Sequence, residues 1–203
     1  MLRHYTNNFR VTGRINEDVQ RYLTSHTCKR TSDHCSRVAA KAKELAERFD
    51  VDALKADTAG YLHDISAVVP NDKRIEFARR QGVYVLPEEA AFPMIIHQKL
   101  SAVLAKEVFE ITDGEILNAV GCHTTLRASA TELDKVVFLA DKIDWDQDGK
   151  PPYLNDVLDA LERSLDAAAL VYLNYMWERR DRLKVLHPWL VEAREDMLRT
   201  VKG

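Results

Sequence analysis

Six side chains of the types that bind transition metals are spread along the sequence. They are four imidazoles and two carboxylates: His34, His63, Asp64, His97, His123 and Asp141. Imidazole and carboxylate ligands suit iron, manganese, cobalt, nickel and zinc, whereas structural zinc sites usually rely on thiolates. A carboxylate can also bridge two metal ions. The sequence therefore predicts a centre for one or two divalent metal ions that uses no cysteine.

Single histidines also have a purely structural interpretation. Three of the seven histidines have no supporting pattern and are interpreted as surface or capping residues: His4, His26 and His187. His63 and Asp64 differ because they are adjacent. Neighbouring side chains in a helix point about 100° apart, so this pair can share a metal site where a helix ends or where two ions lie side by side.

Asp141 is a carboxylate in an apolar setting. It follows Phe138-Leu139-Ala140, which predicts a buried position on a helix. A buried carboxylate without a partner is costly, and a metal ion is the natural cation to pair with it. Lys135 and Lys142 are expected to face elsewhere on the helix.

The overall composition limits the classes of function that the protein can have. The chain has 203 residues, of which 46% are hydrophobic and 30% charged, as in ordinary soluble globular proteins. No apolar run approaches the roughly 20 residues of a membrane span, and the start lacks the apolar core of a secretory signal. A cytoplasmic location is therefore the default expectation. Three cysteines without a Cys-x-x-Cys spacing predict reduced thiols. A net charge of −3 argues against long nucleic acid as a partner, but not against a small nucleotide.

The spacing of helix-breaking residues predicts an all-α fold. The chain has only 7 glycines and 6 prolines, and the apolar residues between them recur every three or four positions. The only strand-like run, Val83-Tyr84-Val85-Leu86, is too short to build a sheet. We therefore expect one all-α domain without an interdomain linker.

Capping residues predict where several helices begin. Thr31-Ser32-Asp33 is an N-cap cluster for the helix that carries His34. Further helix starts are predicted at Asp52, Thr112-Asp113 and Thr131. One long helix is predicted over 154–182.

Three stretches carry a resemblance to a known family. They are Ile96-His97-Gln98-Lys99-Leu100-Ser101-Ala102, His123-Thr124-Thr125-Leu126-Arg127 and Phe138-Leu139-Ala140-Asp141-Lys142-Ile143. With the order of the six ligand-type residues, they resemble the HD-domain phosphohydrolase superfamily, and within it the YqeK branch. The His-Thr-Thr element followed by Leu-Ala-Asp-Lys-Ile is specific, whereas a bare His-Asp pair is not. The resemblance implies a single HD-domain helical bundle over 1–203, with a core at about 30–194 and an N-terminal helical extension at about 1–29.

The resemblance also implies an activity and a cofactor. Members of the branch are symmetrical diadenosine tetraphosphate hydrolases with a di-iron centre, which split the dinucleotide into two ADP with a metal-activated water. Two divalent transition-metal ions are therefore expected, with iron first and manganese, cobalt, nickel and zinc as alternatives. The ligands of one ion would be His34, His63, Asp64 and Asp141. Asp64 would bridge to a second ion held by His97 and His123, and catalysis is expected to depend on His63 and Asp64.

Four further residues are candidates for contact with phosphate. They lie close to a ligand in sequence: Arg37, Thr124, Thr125 and Arg127. The two threonines and Arg127 follow His123, and Arg37 is one turn after His34. The alternative for each is a capping residue or a solvated charge.

Two departures from the branch bear on the substrate. The branch usually has a lysine three residues after the His-Asp pair, where this chain has Ala67. It also usually has Glu-Pro-x-Arg after the last ligand, where this chain reads Asp144-Trp145-Asp146-Gln147-Asp148-Gly149-Lys150. Losing a cation and gaining anions should weaken binding of a long polyphosphate. The residues considered as compensating cations are Lys73, Arg74, Lys99 and Lys150.

Other functions therefore stay open at this point. Within enzymes, the alternative is a phosphatase or diphosphatase that acts on a smaller nucleotide. Outside enzymes, the alternatives are a non-catalytic metal-containing nucleotide sensor and a helical interaction domain with incidental histidines. The expected partner is a small nucleotide, with no long nucleic acid and no membrane, and a homodimer is compatible with the sequence.

Overall fold

The fold is built from helices, as the sequence predicts. The structure is a computed structural model, and it describes residues 5–6, 9–146 and 149–201. Within that part of the chain the α-helices are α1 (Ile15–Ser25), α2 (Lys29–Arg48), α3 (Ala53–Leu62), α4 (Arg74–Arg80), α5 (Pro87–Ala91), α6 (His97–Glu107), α7 (Gly114–Cys122), α8 (Glu132–Ile143), α9 (Leu154–Leu161), α10 (Leu165–Glu178) and α11 (Pro188–Thr200). Short 3₁₀ turns occupy Ile65–Val68, Asn71–Lys73 and Arg180–Arg182. The run Val83-Tyr84-Val85-Leu86 forms no strand, and the all-α prediction is confirmed.

Helix starts with a local cap lie where the sequence predicts them. The Asp52 carboxylate accepts hydrogen bonds from the N–H groups of Leu54 and Lys55, both at 3.0 Å, and so begins α3. Asp113 begins α7 in the same way, and Thr131 begins α8 as part of a capping box. These side chains satisfy backbone donors that a helix leaves free at its first turn, which is why the caps are readable from sequence.

Two helix boundaries differ from the prediction. α2 begins at Lys29, before Thr31-Ser32-Asp33, because Thr27 adopts a left-handed conformation (φ 62°) that turns the chain directly out of α1. The helix predicted over 154–182 is divided into α9 and α10. Ser164 is extended there, and its hydroxyl accepts a hydrogen bond from the N–H of Ala167 at 3.0 Å, which starts a new helix.

The histidines that were interpreted as surface or capping residues differ in their burial. His26 is half-buried and ends α1. His187 caps α11, but it is buried and not at the surface, because its Nε2 lies 3.3 Å from the buried carboxylate of Glu89. His4 lies outside the described residues, as do Gln147 and Asp148 of the acidic segment.

The helices that carry the ligand-type residues pack closely around one apolar core. α2 crosses α3 at Gly60, where an added Cβ atom would lie only 2.5 Å from the Cα of Ala39. α8 packs against both of these helices, and its Phe138 and Leu139 are fully buried. No helix in the described part of the chain has the length and apolarity that a membrane crossing requires.

Candidate metal centre

Five helices bring the six ligand-type residues together. His34 lies within α2, His97 is the first residue of α6, and Asp141 is in the last turn of α8. His63 and His123 directly follow the last residues of α3 and α7. Asp64 already leaves the helical conformation (φ −115°, ψ 16°), so it and its neighbour both reach the centre from a helix end, one of the two arrangements that their adjacency allows.

Three of the residues form what we call the first ligand group: His34, His63 and Asp141. The Nε2 atoms of His34 and His63 are 3.3 Å apart. Oδ1 of Asp141 lies 3.3 Å from Nε2 of His34 and 3.5 Å from Nε2 of His63. These atoms converge on one point between α2, α3 and α8.

The other three form the second ligand group: Asp64, His97 and His123. The Nε2 atoms of His97 and His123 are 2.9 Å apart, and Oδ1 of Asp64 lies 3.1 Å from the first and 3.7 Å from the second. Oδ2 of Asp64 instead lies 3.8 Å from Nε2 of His63, in the first ligand group. The two carboxylate oxygens of Asp64 therefore face different ligand groups.

The outer nitrogens of the imidazoles fix their orientation. Nδ1 of His63, His97 and His123 donates to the backbone carbonyl of the residue three positions earlier, at 2.8, 2.6 and 2.8 Å respectively. Nδ1 of His34 donates to the carboxylate of Asp144 at 3.2 Å. In a neutral ring with a proton on Nδ1, Nε2 carries a lone pair, which is the state of a metal-ligating histidine.

This donor set fits a metal ion. Two nitrogen lone pairs that face each other cannot form a hydrogen bond unless a proton or another cation lies between them. Nitrogen ligands at about 2.0–2.1 Å from one ion, at angles of roughly 90–109°, are about 2.8–3.4 Å apart. The pairs His34–His63 and His97–His123, at 3.3 and 2.9 Å, fall in this range. The two ligand groups can hold divalent metal ions.

The ionisation of the centre agrees with a need for cations. Burial raises the pKa of Asp64, but the imidazoles of His63 and His97 outweigh it, so that the pKa falls below its usual value. Burial and the neighbouring histidines lower the pKa of His123, which keeps that ring neutral. Burial lowers the pKa of His63, but the Asp64 carboxylate and other neighbours outweigh this effect, so that the pKa lies above its usual value. A proton on His63 and a bound metal ion are therefore alternative ways to balance the negative charge of the centre.

Lys142 does not face away from Asp141, in contrast to the prediction. Its ammonium lies 2.6 Å from Oδ2 of Asp141 and within 5.5 Å of the ring centres of Phe138 and Tyr172. The side chain runs back along these rings, so it reaches the carboxylate of the residue before it. Lys135 does face elsewhere, since its ammonium pairs with Asp166 at 2.6 Å.

Asp144 is a functional candidate that the sequence reasoning missed. Its carboxylate accepts hydrogen bonds from His34 and from Nε of Arg37, at 3.2 and 3.0 Å. Arg37 is therefore held beside the first ligand group, but its guanidinium is occupied by Asp144. The signal in the sequence is that Asp144 follows Asp141 by three residues, about one helical turn.

Gln98 is a second residue that was missed. It is fully buried, and its carbonyl accepts hydrogen bonds from the N–H groups of Thr124 and Thr125 at 3.0 and 3.2 Å. The Thr125 hydroxyl donates to the carbonyl of Leu126 and accepts from the Gln98 amide, so it is used within the protein. The Thr124 hydroxyl lies 3.2 Å from Nε2 of His97, at the second ligand group.

Arg127 is not brought to the metal centre. Its Nε and Nη2 atoms donate to Oδ2 of Asp134 at 2.9 and 2.7 Å. It lines a separate cavity with Lys99, Lys106 and Trp189. Its position two residues beyond the threonines turns the side chain toward α8, because Leu126 adopts a left-handed conformation (φ 59°).

Two neighbouring cavities adjoin the ligand groups. The first, of about 300 Å³, is lined by five of the six ligand-type residues, all except His63. Its other lining residues are Ala67, Arg74, Met94, Thr124, Lys142 and Asp146. We call it the metal cavity. The second, of about 400 Å³, is mostly apolar and includes Phe92 and Tyr172. We call it the apolar cavity, and it shares Met94, His97 and Thr124 with the metal cavity.

Comparison with known proteins gives a consistent set of similarities. The model of the HD domain family matches residues 31–146. An uncharacterized protein in the pepC 5′ region of Lactococcus lactis subsp. cremoris is 51% identical over 70% of this chain and 72% of that protein. The symmetrical bis(5′-nucleosyl)-tetraphosphatase of Staphylococcus aureus is 31% identical over 63% of this chain and 66% of that protein, and that of Bacillus subtilis is 32% identical over 62% and 65%.

A solved structure is similar over nearly the whole chain. It is the crystal structure of a predicted HD superfamily hydrolase involved in NAD metabolism from Clostridium acetobutylicum, which is 27% identical. The two structures superimpose with a TM-score of 0.82, covering 91% of this chain and 97% of that chain.

Proposed function

Since this chain belongs to the HD domain family and is an HD-superfamily hydrolase, we propose that it is a metal-dependent phosphohydrolase that cleaves a dinucleoside polyphosphate symmetrically. The proposed reaction converts diadenosine tetraphosphate and water into two molecules of ADP. The observation that carries the proposal is the position of Asp64 between the two ligand groups, because paired metal sites suit transfer of a phosphoryl group to water. The similarity to two symmetrical tetraphosphatases supports the same substrate class.

We infer two divalent transition-metal ions, with iron as the expected metal and manganese, cobalt, nickel and zinc as alternatives. The first ligand group would hold one ion and the second group the other, with Asp64 between them. When bound, such ions supply a water nucleophile near neutral pH and neutralise the charge of phosphate. Catalysis would depend on His63 and Asp64 because they lie where the two ligand groups meet. The Nδ1 bonds of the imidazoles hold the ligand atoms in place.

The apolar cavity supports a nucleotide as the substrate. Its volume of about 400 Å³ and the rings of Phe92 and Tyr172 suit a nucleobase, which binds through stacking and apolar contact. Lys184 and Arg182 also line it and can contact a phosphate or ribose. Because Thr124 lines both cavities, its hydroxyl is a candidate contact where the base-binding part of the site meets the phosphate-binding part.

A smaller nucleotide is the second candidate substrate. Ala67 leaves the metal cavity without the lysine that the branch usually carries there, and this favours a shorter phosphate chain. The convergence of the six ligand-type residues weighs against a helical interaction domain with incidental histidines. Membership in a hydrolase family favours turnover over a non-catalytic sensor. The single domain over 1–203, the cytoplasmic location and a homodimer stay predictions.

The test is a nucleotide panel followed by product identification. Protein loaded with iron or manganese would be incubated with diadenosine tetraphosphate, diadenosine triphosphate, ADP and ATP, and the products would be separated by chromatography. We expect ADP as the sole product from the tetraphosphate. Formation of AMP and ATP, or hydrolysis of only the mononucleotides, would contradict symmetrical cleavage and favour the second candidate.

A further inference from the structure

Arg74 is a buried cation with no acidic partner in the described part of the chain. Only 8% of the residue is exposed. Its Nε donates to the carbonyl of Val69 at 3.3 Å, and its Nη1 donates to the carbonyl of Met94 at 3.4 Å, both near the long limit for a hydrogen bond. Buried arginines are usually paired with a carboxylate or another anion. Nη1 also lies 3.2 Å from Sδ of Met94, a weak acceptor. The guanidinium therefore has donors to spare and no carboxylate within ion-pair distance among the described residues.

The position of Arg74 relates this charge to the metal centre. Arg74 lines the metal cavity together with Ala67, His97 and Thr124. Burial lowers the pKa of its guanidinium, and the charge of the Asp64 carboxylate opposes that fall, so the two charges interact. A ligand in this cavity can therefore approach both Arg74 and the ligand-type residues that line it.

The other basic residues near the site either have a carboxylate partner or are exposed to solvent. The ammonium of Lys142, which also lines the metal cavity, lies 2.6 Å from Asp141. Lys99 is paired with a buried glutamate at 2.8 Å and lines the separate cavity of Arg127. Lys73 and Lys150 are exposed. Of the four candidate cations, only Arg74 lines the metal cavity.

We infer that Arg74 binds a phosphate group of the substrate, in the place of the lysine that is absent at position 67. This inference rests on the proposed function, because it takes the ligand of the metal cavity to be a phosphate chain. A guanidinium binds two phosphate oxygens at once, with charge-assisted hydrogen bonds. Since the side chain of Ala67 is a single methyl group, it fills less of the metal cavity, which Arg74 also lines, than a lysine would. Arg74 is thus a substrate-binding residue, and no role in metal binding is assigned to it.

The test is direct binding of inorganic pyrophosphate to metal-loaded protein, measured by titration calorimetry. Arg74→Gln keeps a polar side chain but removes the charge, and we expect it to weaken pyrophosphate binding about ten- to a hundredfold. The metal content, measured after each titration, should equal that of the wild type. Arg79→Gln is the matched control, since Arg79 is an exposed residue of the same helix, and it should bind like the wild type.

Two further variants keep the test decisive if Arg74→Gln loses stability, and relate Arg74 to position 67. If Arg74→Gln proves poorly folded, Arg74→Lys keeps the positive charge and should retain most of the pyrophosphate affinity. The double variant Ala67→Lys/Arg74→Gln, with the lysine restored, should regain most of the affinity lost in Arg74→Gln.

The outcomes separate the two proposals. Equal pyrophosphate affinity in the wild type and in folded Arg74→Gln would overturn the role of Arg74, and so would a wild type that binds no pyrophosphate. Failure of the double variant to regain affinity would remove the link to position 67. If binding depends on Arg74 but no dinucleoside polyphosphate is hydrolysed, the role of Arg74 stands and the proposed substrate is wrong.

Discussion

Asp144 accepts a hydrogen bond from Nδ1 of His34 at 3.2 Å, on the side of the ring opposite the first ligand group. The other three imidazoles use a backbone carbonyl for the same purpose. A carboxylate orients the ring in the same way and also makes its inner nitrogen a stronger electron donor. Asp144, which the sequence presents as part of an acidic departure from the branch, therefore supports a ligand.

Removal of Asp144 should weaken metal binding. We expect Asp144→Ala to lower the affinity for the metal in the first ligand group about ten- to a hundredfold, because His34 loses its orienting partner. The affinity would be measured by competition with a chelator of known strength. Asp156→Ala is a suitable control, as Asp156 is an exposed carboxylate on α9. Equal metal affinity in Asp144→Ala and the wild type would contradict this role.

Asp64 should be needed for both ions. Elemental analysis of wild-type protein is expected to give close to two transition-metal ions per chain. Asp64→Ala should lose both, because its two oxygens face different ligand groups, whereas His34→Ala should keep the ion of the second group. An Asp64→Ala protein that retains one tightly bound ion would show that the carboxylate serves a single site.

Arg127 should matter for stability and not for the substrate. Asp134 is fully buried, and Arg127 is the cation that pairs with it. Arg127→Ala is expected to lower the free energy of unfolding by about 1–3 kcal/mol, less than for a fully buried pair because Arg127 is partly exposed. Urea denaturation measures this change. Unchanged stability with a raised KM would instead support the phosphate contact that the sequence suggested.

The buried carboxylate of Glu89 should make stability depend on pH. Burial raises the pKa of Glu89, but its bonds to His187, Lys99 and the N–H of Leu86 outweigh it and lower the pKa. The unfolded chain therefore takes up the proton at a higher pH than the folded protein does. The stabilisation is complete above the unfolded pKa, about 4.3, and is lost as pH falls through the lower folded value.

Glu89→Gln tests this dependence. The variant should be less stable at pH 7 by about 1–3 kcal/mol, since it leaves the partly buried ammonium of Lys99 without its carboxylate. Its stability should also fall less steeply than that of the wild type as the pH is lowered from 5 to 3. Parallel curves of unfolding free energy against pH for the two proteins would contradict the assignment.

The parts of the fold that were predicted correctly depend on local chemistry. The caps at Asp52, Asp113 and Thr131 act on backbone groups two or three residues away, so their effect is readable from a short stretch of sequence. The all-α class follows from periodic apolar spacing. The adjacency of His63 and Asp64 allowed either a helix end or two ions side by side, and the first of these is present, since α3 ends at Leu62.

The parts that were missed depend on residues far apart in the chain. Asp144 and His34 are separated by 110 positions, and no local pattern encodes their contact. The engagement of Arg127 by Asp134 and of Thr125 by Gln98 likewise depends on how loops turn after the helix ends. Phosphate contacts were predicted for Arg127 and Thr125 because they are close in sequence to a ligand. Proximity in sequence does not determine the direction of a side chain.

The close crossing at Gly60 has a consequence for which substitutions the centre tolerates. α2 and α3 are held apart there by backbone atoms alone, since any side chain at Gly60 would overlap Ala39. Flexible side chains elsewhere in the core can be exchanged and repacked. The distance between α2 and α3, and with it the spacing of His34 and His63, is instead limited by direct contact between main-chain atoms. Gly60 has no side chain and binds no metal ion, yet it is among the least replaceable of the residues that shape this centre. A search for functional positions based only on reactive groups would pass over it.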